Sequence, residues 1–178
     1  MAQPIWQTPA GNLGIIREGV FFNLDLLATV EPYTTPAICT ATTAGTNVIT
    51  CDTTESMEVG RVITFYGRPF GNLELNTAYI IYSVIDSTHF QVKDSPVATA
   101  PLVLTTATGV LTGVVSDRVY YQRQAGTTPK GIQINGEGVC YGVPQVAVAV
   151  EGVPLDVPGD VTSKFVVRAY TLNSDGTV

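Results

Sequence analysis

The segment PKGIQINGEGVCYGVP, residues 129–144, decides the reading of this 178-residue chain. Pro129 fixes its own φ, Gly131 supplies a permissive backbone, and Ile132 and Ile134 alternate as one face of a short strand. The tetrad Asn135-Gly-Glu-Gly138 reverses the chain, because Asn and Gly tolerate the backbone conformations of a tight turn. Val139, Cys140 and Tyr141 form a second short strand, ended by Gly142 and Pro144. Turn residues spaced in this way between alternating apolar ones predict an antiparallel hairpin. The chain is read outward from it as all-β.

Composition agrees. Hydrophobic residues make up 45% and charged residues only 13%, against about 25% in typical globular chains. Thr, Val, Gly and Pro take the place of the missing charge, and these favour strands and turns over helices. The length suffices for one large or two small domains. A net charge of −6 and a pI of about 4.6 would repel a phosphate backbone, so no nucleic-acid partner is expected. The N-terminal MAQPIWQTPAG lacks the basic region and apolar core of a signal peptide, and no apolar run approaches the roughly 20 residues that cross a bilayer. Cytoplasmic synthesis without membrane insertion is the expectation.

Along the chain, Val20, Phe22, Leu24, Leu26 and Ala28 alternate with Phe21, Asn23, Asp25, Leu27 and Thr29, a strand pattern. Residues 36–112 form a Thr-rich block of short strands. Hairpins are predicted from Ala37–Thr42 with Asn47–Asp52 and from Ala78–Ile85 with Phe90–Lys93. Further strands are predicted at Arg61–Tyr66, Leu102–Thr106 and Val110–Thr112, which suggests a small barrel or sandwich. The strand KFVVRAYT, residues 164–171, leads into a turn over 172–177 with no partner strand after it. Either the chain continues in a longer protein, the favoured reading, or a neighbour supplies the strand.

Gly45 lies midway between Cys39 and Cys51, so the two cysteines face each other across the first hairpin. They are either bridged or, as cytoplasmic synthesis favours, buried thiols packed beside Ala41 and Ile49. Cys140 is read as core.

The hairpin at 129–144 resembles an Ig-like module whose signature is Pro-x-Gly-Leu-x-Leu, a turn, then Gly-x-Ile-x-Gly-x-Pro. Ile132 and Ile134 stand at the leucine positions and Cys140 at the inward isoleucine. In the middle block, Val59-Gly60 to Phe65, Thr77 to Ile81 and Ser87 to Phe90 resemble a small β module that recurs in structural proteins of tailed phages. IWQTPAGNLGIIREGVFF near the start and DVTSKFVVRAYT near the end are similar to virion structural proteins of contractile-tailed phages infecting cyanobacteria. These resemblances imply an Ig-like β-sandwich formed by residues 1–35 plus 113–178, with residues 36–112 inserted as a small β domain. The crossings would be Pro32–Pro36 and Gly113–Ser116.

No catalytic, cofactor-binding or metal-ligating residues are predicted, and no cofactor. The single histidine, His89, lies in a turn, with no serine elbow or Ser-x-x-Lys pair in the chain. Cys39 and Cys51 are too widely spaced for a zinc knuckle and lack a second pair. Asn173-x-Asp175-Gly176 is a fragment of a calcium loop without its distal Glu, and Asp156 and Asp160 read as solvated loop carboxylates. Trp6, Tyr33, Tyr66, Tyr120, Tyr121 and Tyr141 offer the one route to binding, by stacking on sugar rings, although core and edge packing accounts for them better.

The resemblances therefore imply a non-enzymatic virion structural protein, a baseplate or tail-fibre attachment component that contacts other virion proteins. Trimeric self-association is compatible with that role. A capsid decoration protein and a carbohydrate-binding module for host recognition are the alternatives.

Overall fold

The computed structural model describes residues 3–8, 20–126, 128, 130–144 and 165–172. The described residues are all-β, with no helix. In chain order the strands are β1 (Ile5–Trp6), β2 (Phe22–Asp25), β3 (Ala28–Thr29), β4 (Ala37–Thr43), β5 (Val48–Cys51), β6 (Val62–Gly67) and β7 (Ala78–Val84). They continue with β8 (His89–Lys93), β9 (Ala107–Ser116), β10 (Tyr120–Gly126), β11 (Ile132–Ile134), β12 (Val139–Gly142) and β13 (Phe165–Tyr170).

Six of these strands close on themselves in the order β4-β5-β8-β7-β6-β9. Period-2 alternation explains the closure. Ile49 and Cys51 on β5, Ile63 and Phe65 on β6, Phe90 and Val92 on β8, and Leu111 and Val115 on β9 all point inward and are buried. Each large apolar side chain so buried contributes about 1.5–3 kcal/mol. Gly113 interrupts the inward series of β9 for a steric reason: a β-carbon there would lie 2.7 Å from Ile63 Cδ1. Small faces large, and the interior is filled rather than hollow. β9 serves as the long stave, pairing with β4 along one side and with β6 along the other.

The remaining strands form three small sheets: β1-β3, β10-β13 and β11-β12-β2. The hairpin read from 129–144 is present, with Ile132 opposite Gly142 and Ile134 opposite Cys140. Asn135 Oδ1 accepts the amides of Glu137 and Val139, which fixes the turn. Gly131 and Gly142 both have positive φ, and a β-carbon on Gly142 would lie 2.0 Å from Gly131 O. The backbones touch there, so only glycine fits. β12 pairs in turn with β2, placing Cys140 opposite Leu24. Leu26, Ala28, Tyr121 and Cys140 make a second buried cluster, separate from the barrel core.

Four expectations are corrected. The alternating run over Val20–Thr29 is not one strand: it breaks after Asp25 because the backbone changes partners. Leu26 N donates to Gly138 O, whereas Leu27 O accepts from Gln7 and Thr8. Leu102–Thr106 is not a strand either. Leu102 N bonds Val92 O, Leu104 N bonds Asn47 Oδ1 and Thr105 N bonds Gly71 O, so these amides never reach a ladder. The strand expected at Val110–Thr112 runs instead from Ala107 to Ser116, which takes in the crossing read at Gly113–Ser116. Finally, Cys39 does face Cys51, but a bulge at Thr40 shifts the register by one. Thr42 rather than Ala41 then lies inside opposite Ile49, its hydroxyl donating to Thr105 O at 2.7 Å.

Candidate functional site

The segments entering and leaving the barrel meet at one seam. Tyr33 lies between β3 and β4, Asp117 follows β9, and Arg61 immediately precedes β6. Tyr33 OH donates to Asp117 Oδ1 at 2.9 Å, and Arg61 Nε donates to the same oxygen at 3.1 Å. The guanidinium also donates to Ser56 O, pairs with Glu58 at 3.1 Å and lies 4.3 Å from the centre of the Tyr33 ring. Tyr33 N donates to Val115 O, which ties the entering segment to the last barrel strand. Burial, and then the bond to Asp117, raise the Tyr33 phenol above its ordinary pKa. The hydroxyl therefore stays a donor at neutral pH, as the geometry requires.

A second tie lies beyond the seam. Tyr121 is buried, and its hydroxyl accepts from Ala28 N at 2.7 Å across 93 residues of sequence. Trp6 packs edge-on against the Tyr121 ring with centroids 5.8 Å apart. Arg118 pairs with Glu137 and lies over the Tyr120 ring, which stacks on Tyr170. Aromatic packing, one shared carboxylate and directional hydrogen bonds hold the strands either side of the barrel together. Such an arrangement fixes the orientation of the segments it joins.

The residues singled out from sequence are dispersed. His89 Nδ1 lies 2.9 Å from Asp86, and the same carboxylate accepts from Thr88 N and Thr88 Oγ1. Those bonds, led by the one from the Thr88 amide, hold the Asp86 carboxyl below its ordinary pKa. Cys39, Cys51 and Cys140 are buried free thiols. Burial pushes the Cys51 thiol up to about 11, and Cys39 higher still. The six aromatics form no shared platform: Tyr121 is interior, Tyr33 belongs to the seam, and Tyr66 and Tyr141 are separately exposed on β6 and β12. Asp156, Asp160, Asn173, Asp175 and Gly176 lie outside the described residues. Among the described residues no group of three His, Cys, Asp or Glu is arranged to hold a metal ion, and no helix is long and apolar enough to cross a membrane.

Arg61 and Asp117 were not singled out by sequence, since they lie 56 residues apart and match no motif. One signal was available: in a chain only 13% charged, an arginine at the start of an apolar strand needs a partner. Comparison with protein families, curated proteins and solved structures gives no match for this chain.

Proposed function

We propose that this chain is a non-enzymatic structural protein of a phage virion, a baseplate or tail-fibre attachment component that joins neighbouring subunits through strand edges. The small sheets, in this reading, belong to an Ig-like sandwich into which the barrel is inserted. The packing of Leu26 and Ala28, before the barrel, against Tyr121 and Cys140, after it, supports one discontinuous domain.

One contrast carries the reading. The barrel is closed, so its strands are paired on both sides. Among the described strands, β13 pairs only with β10, and β11 only with β12. An edge of this kind is a template for a further strand. Val166 on β13 is 55% exposed, and Ile5 on β1 and Phe21 and Leu27, beside β2 and β3, are also exposed. The sequence resemblances supply the virion context.

Amide exchange over Phe165–Tyr170 tests the docking, comparing the purified chain with phage particles that contain it. Slower exchange in the particle is expected. Equal rates in both states would remove the docking edge, and failure to find the chain in purified particles would remove the virion assignment.

A further inference from the structure

We propose that Cys39 and Cys51 form a latent staple: a cysteine pair positioned to be joined by a disulfide when the chain folds in the presence of a low-molecular-weight disulfide. This inference is independent of the docking reading.

The backbone around the pair carries the argument. Cys39 and Cys51 are direct partners in the β4–β5 ladder. Asp52 N donates to Ile38 O at 3.1 Å, and Asp52 Oδ1 accepts from Ile38 N at 2.7 Å. Cys51 N points away from β4, donating to Thr88 O at 2.8 Å. Cys39 and Cys51 therefore occupy a non-hydrogen-bonded pair, the narrow site of an antiparallel ladder, where Cα atoms are about 4.5 Å apart. Disulfides span Cα separations of about 4.4–6.8 Å, so the backbone need not move far to accept one. The bulge at Thr40, directly beside Cys39, interrupts the ladder and bends β4 there. Both side chains point into the same core. Cys140 is the internal contrast, since its ladder partners are Ile134 and Leu24 and it has no cysteine opposite.

The step balances with oxidised glutathione as the oxidant. In the open hairpin, where burial no longer raises either thiol, Cys51 attacks one glutathione sulfur as its thiolate and releases a glutathione thiolate. Cys39 then attacks the Cys51 sulfur of the mixed disulfide and releases the second glutathione. The two protein thiols lose two electrons in total, one disulfide bond is made and one is broken, and the two cysteine protons end on two glutathione thiols. Burial in the closed barrel suppresses the thiolate. The reaction therefore belongs to folding or to opening of the hairpin, before β8 and β9 cover it.

Refolding the full chain from urea with oxidised glutathione, followed by mass spectrometry and peptide mapping, is the test. The expected product has lost two hydrogens, carries a 39–51 crosslink and leaves Cys140 outside it. Its thermal midpoint is raised and falls back on reduction with dithiothreitol. The Cys39→Ser chain, mapped in the same way, is expected to show no intramolecular crosslink. A wild-type product with Cys39 and Cys51 still free, or capped by glutathione, would overturn the proposal, as would a crosslink through Cys140. Mapping in the unsubstituted chain keeps the test valid if the serine variant does not fold.

Discussion

The barrel and the small sheets beside it solve the same problem differently. Both are built from short alternating strands, and each has its own apolar cluster. Among the described residues the barrel cluster contains fifteen buried residues and the flanking one four. Closure makes the difference, because a strand paired on both sides can be wholly interior on one face, as Phe65 and Phe90 are. The small sheets rely more on specific ties: the Tyr121 hydroxyl on Ala28, the Asn135 turn, and the contact between Gly142 and Gly131. Bulk burial holds one region and a few directional contacts hold the other. That contrast predicts where each is vulnerable.

The largest effect belongs to the barrel. Phe65 is fully buried and packs against Tyr79 with ring centroids 5.8 Å apart. Phe65→Ala removes the ring and leaves a cavity, which costs about 3–5 kcal/mol. Cys140→Ala in the flanking cluster removes one sulfur and costs about 1 kcal/mol. Urea denaturation of the two variants measures both, and equal losses would break the comparison.

Gly142→Val strikes the flanking sheet at its tightest point. Its β-branched side chain would have to enter space held by a backbone carbonyl, at a positive φ. A loss of about 2–3 kcal/mol is expected, read as faster amide exchange at Ile132–Ile134 and Val139–Tyr141. Gly136→Ala, where a β-carbon meets open space, should leave the same amides unchanged. Barrel amides should keep their protection in both variants. Their loss in Gly142→Val would show that the two clusters unfold together.

How much of this was legible in the sequence depends on the range of the interaction. The hairpin over 129–144, the cysteine opposition and most barrel strands follow from local alternation and turn chemistry, which a single chain displays openly. The bulge at Thr40 does not, because Thr42 turns inward to reach Thr105, 63 residues away. The break after Asp25 is hidden for the same reason: Leu26 and Leu27 are apolar residues in a regular pattern, and their partners Gly138 and Thr8 lie in other segments. Barrel closure depends on β9 pairing with both β4 and β6, a property of topology that no residue pattern encodes. The Arg61–Asp117–Tyr33 seam could be suspected only from the scarcity of charge.

Tyr121→Phe sharpens the contrast at a single atom. The ring remains to fill its site, but Ala28 N loses its acceptor in a buried position. The cost of a stranded buried donor sets the scale, about 1–2 kcal/mol. Amide exchange at Leu26–Ala28 should quicken while Phe90 and Val92 in the barrel stay protected. An unchanged exchange rate at Ala28 would mean that another group takes the bond, and that the flanking cluster depends less on directional ties than its geometry implies.

The smallest effect is expected in the barrel's own turn. Asp86 accepts from the Thr88 amide, the Thr88 hydroxyl and His89, and these bonds favour its ionised form. Its carboxyl in the folded chain therefore titrates below the ordinary value of 3.8. An acid whose folded pKa is depressed contributes stability above its unfolded pKa, and that contribution disappears as pH falls through the folded pKa. The turn should hold from neutral pH down to about 3.8 and loosen below it. Because the carboxylate is solvent-exposed, the loosening should stay local. Cys51 N and Thr54 N remain bonded to Thr88 O and Ser87 O, so the backbone of the turn is held independently of the charge. Following the Thr88 amide resonance through an acid titration measures this. A midpoint below that of an unfolded-chain aspartate, with the Phe90 and Val92 resonances unmoved, is the expected result. Concerted loss of the barrel resonances at the same midpoint would instead give this turn a controlling role in closure, contrary to a region held by bulk burial.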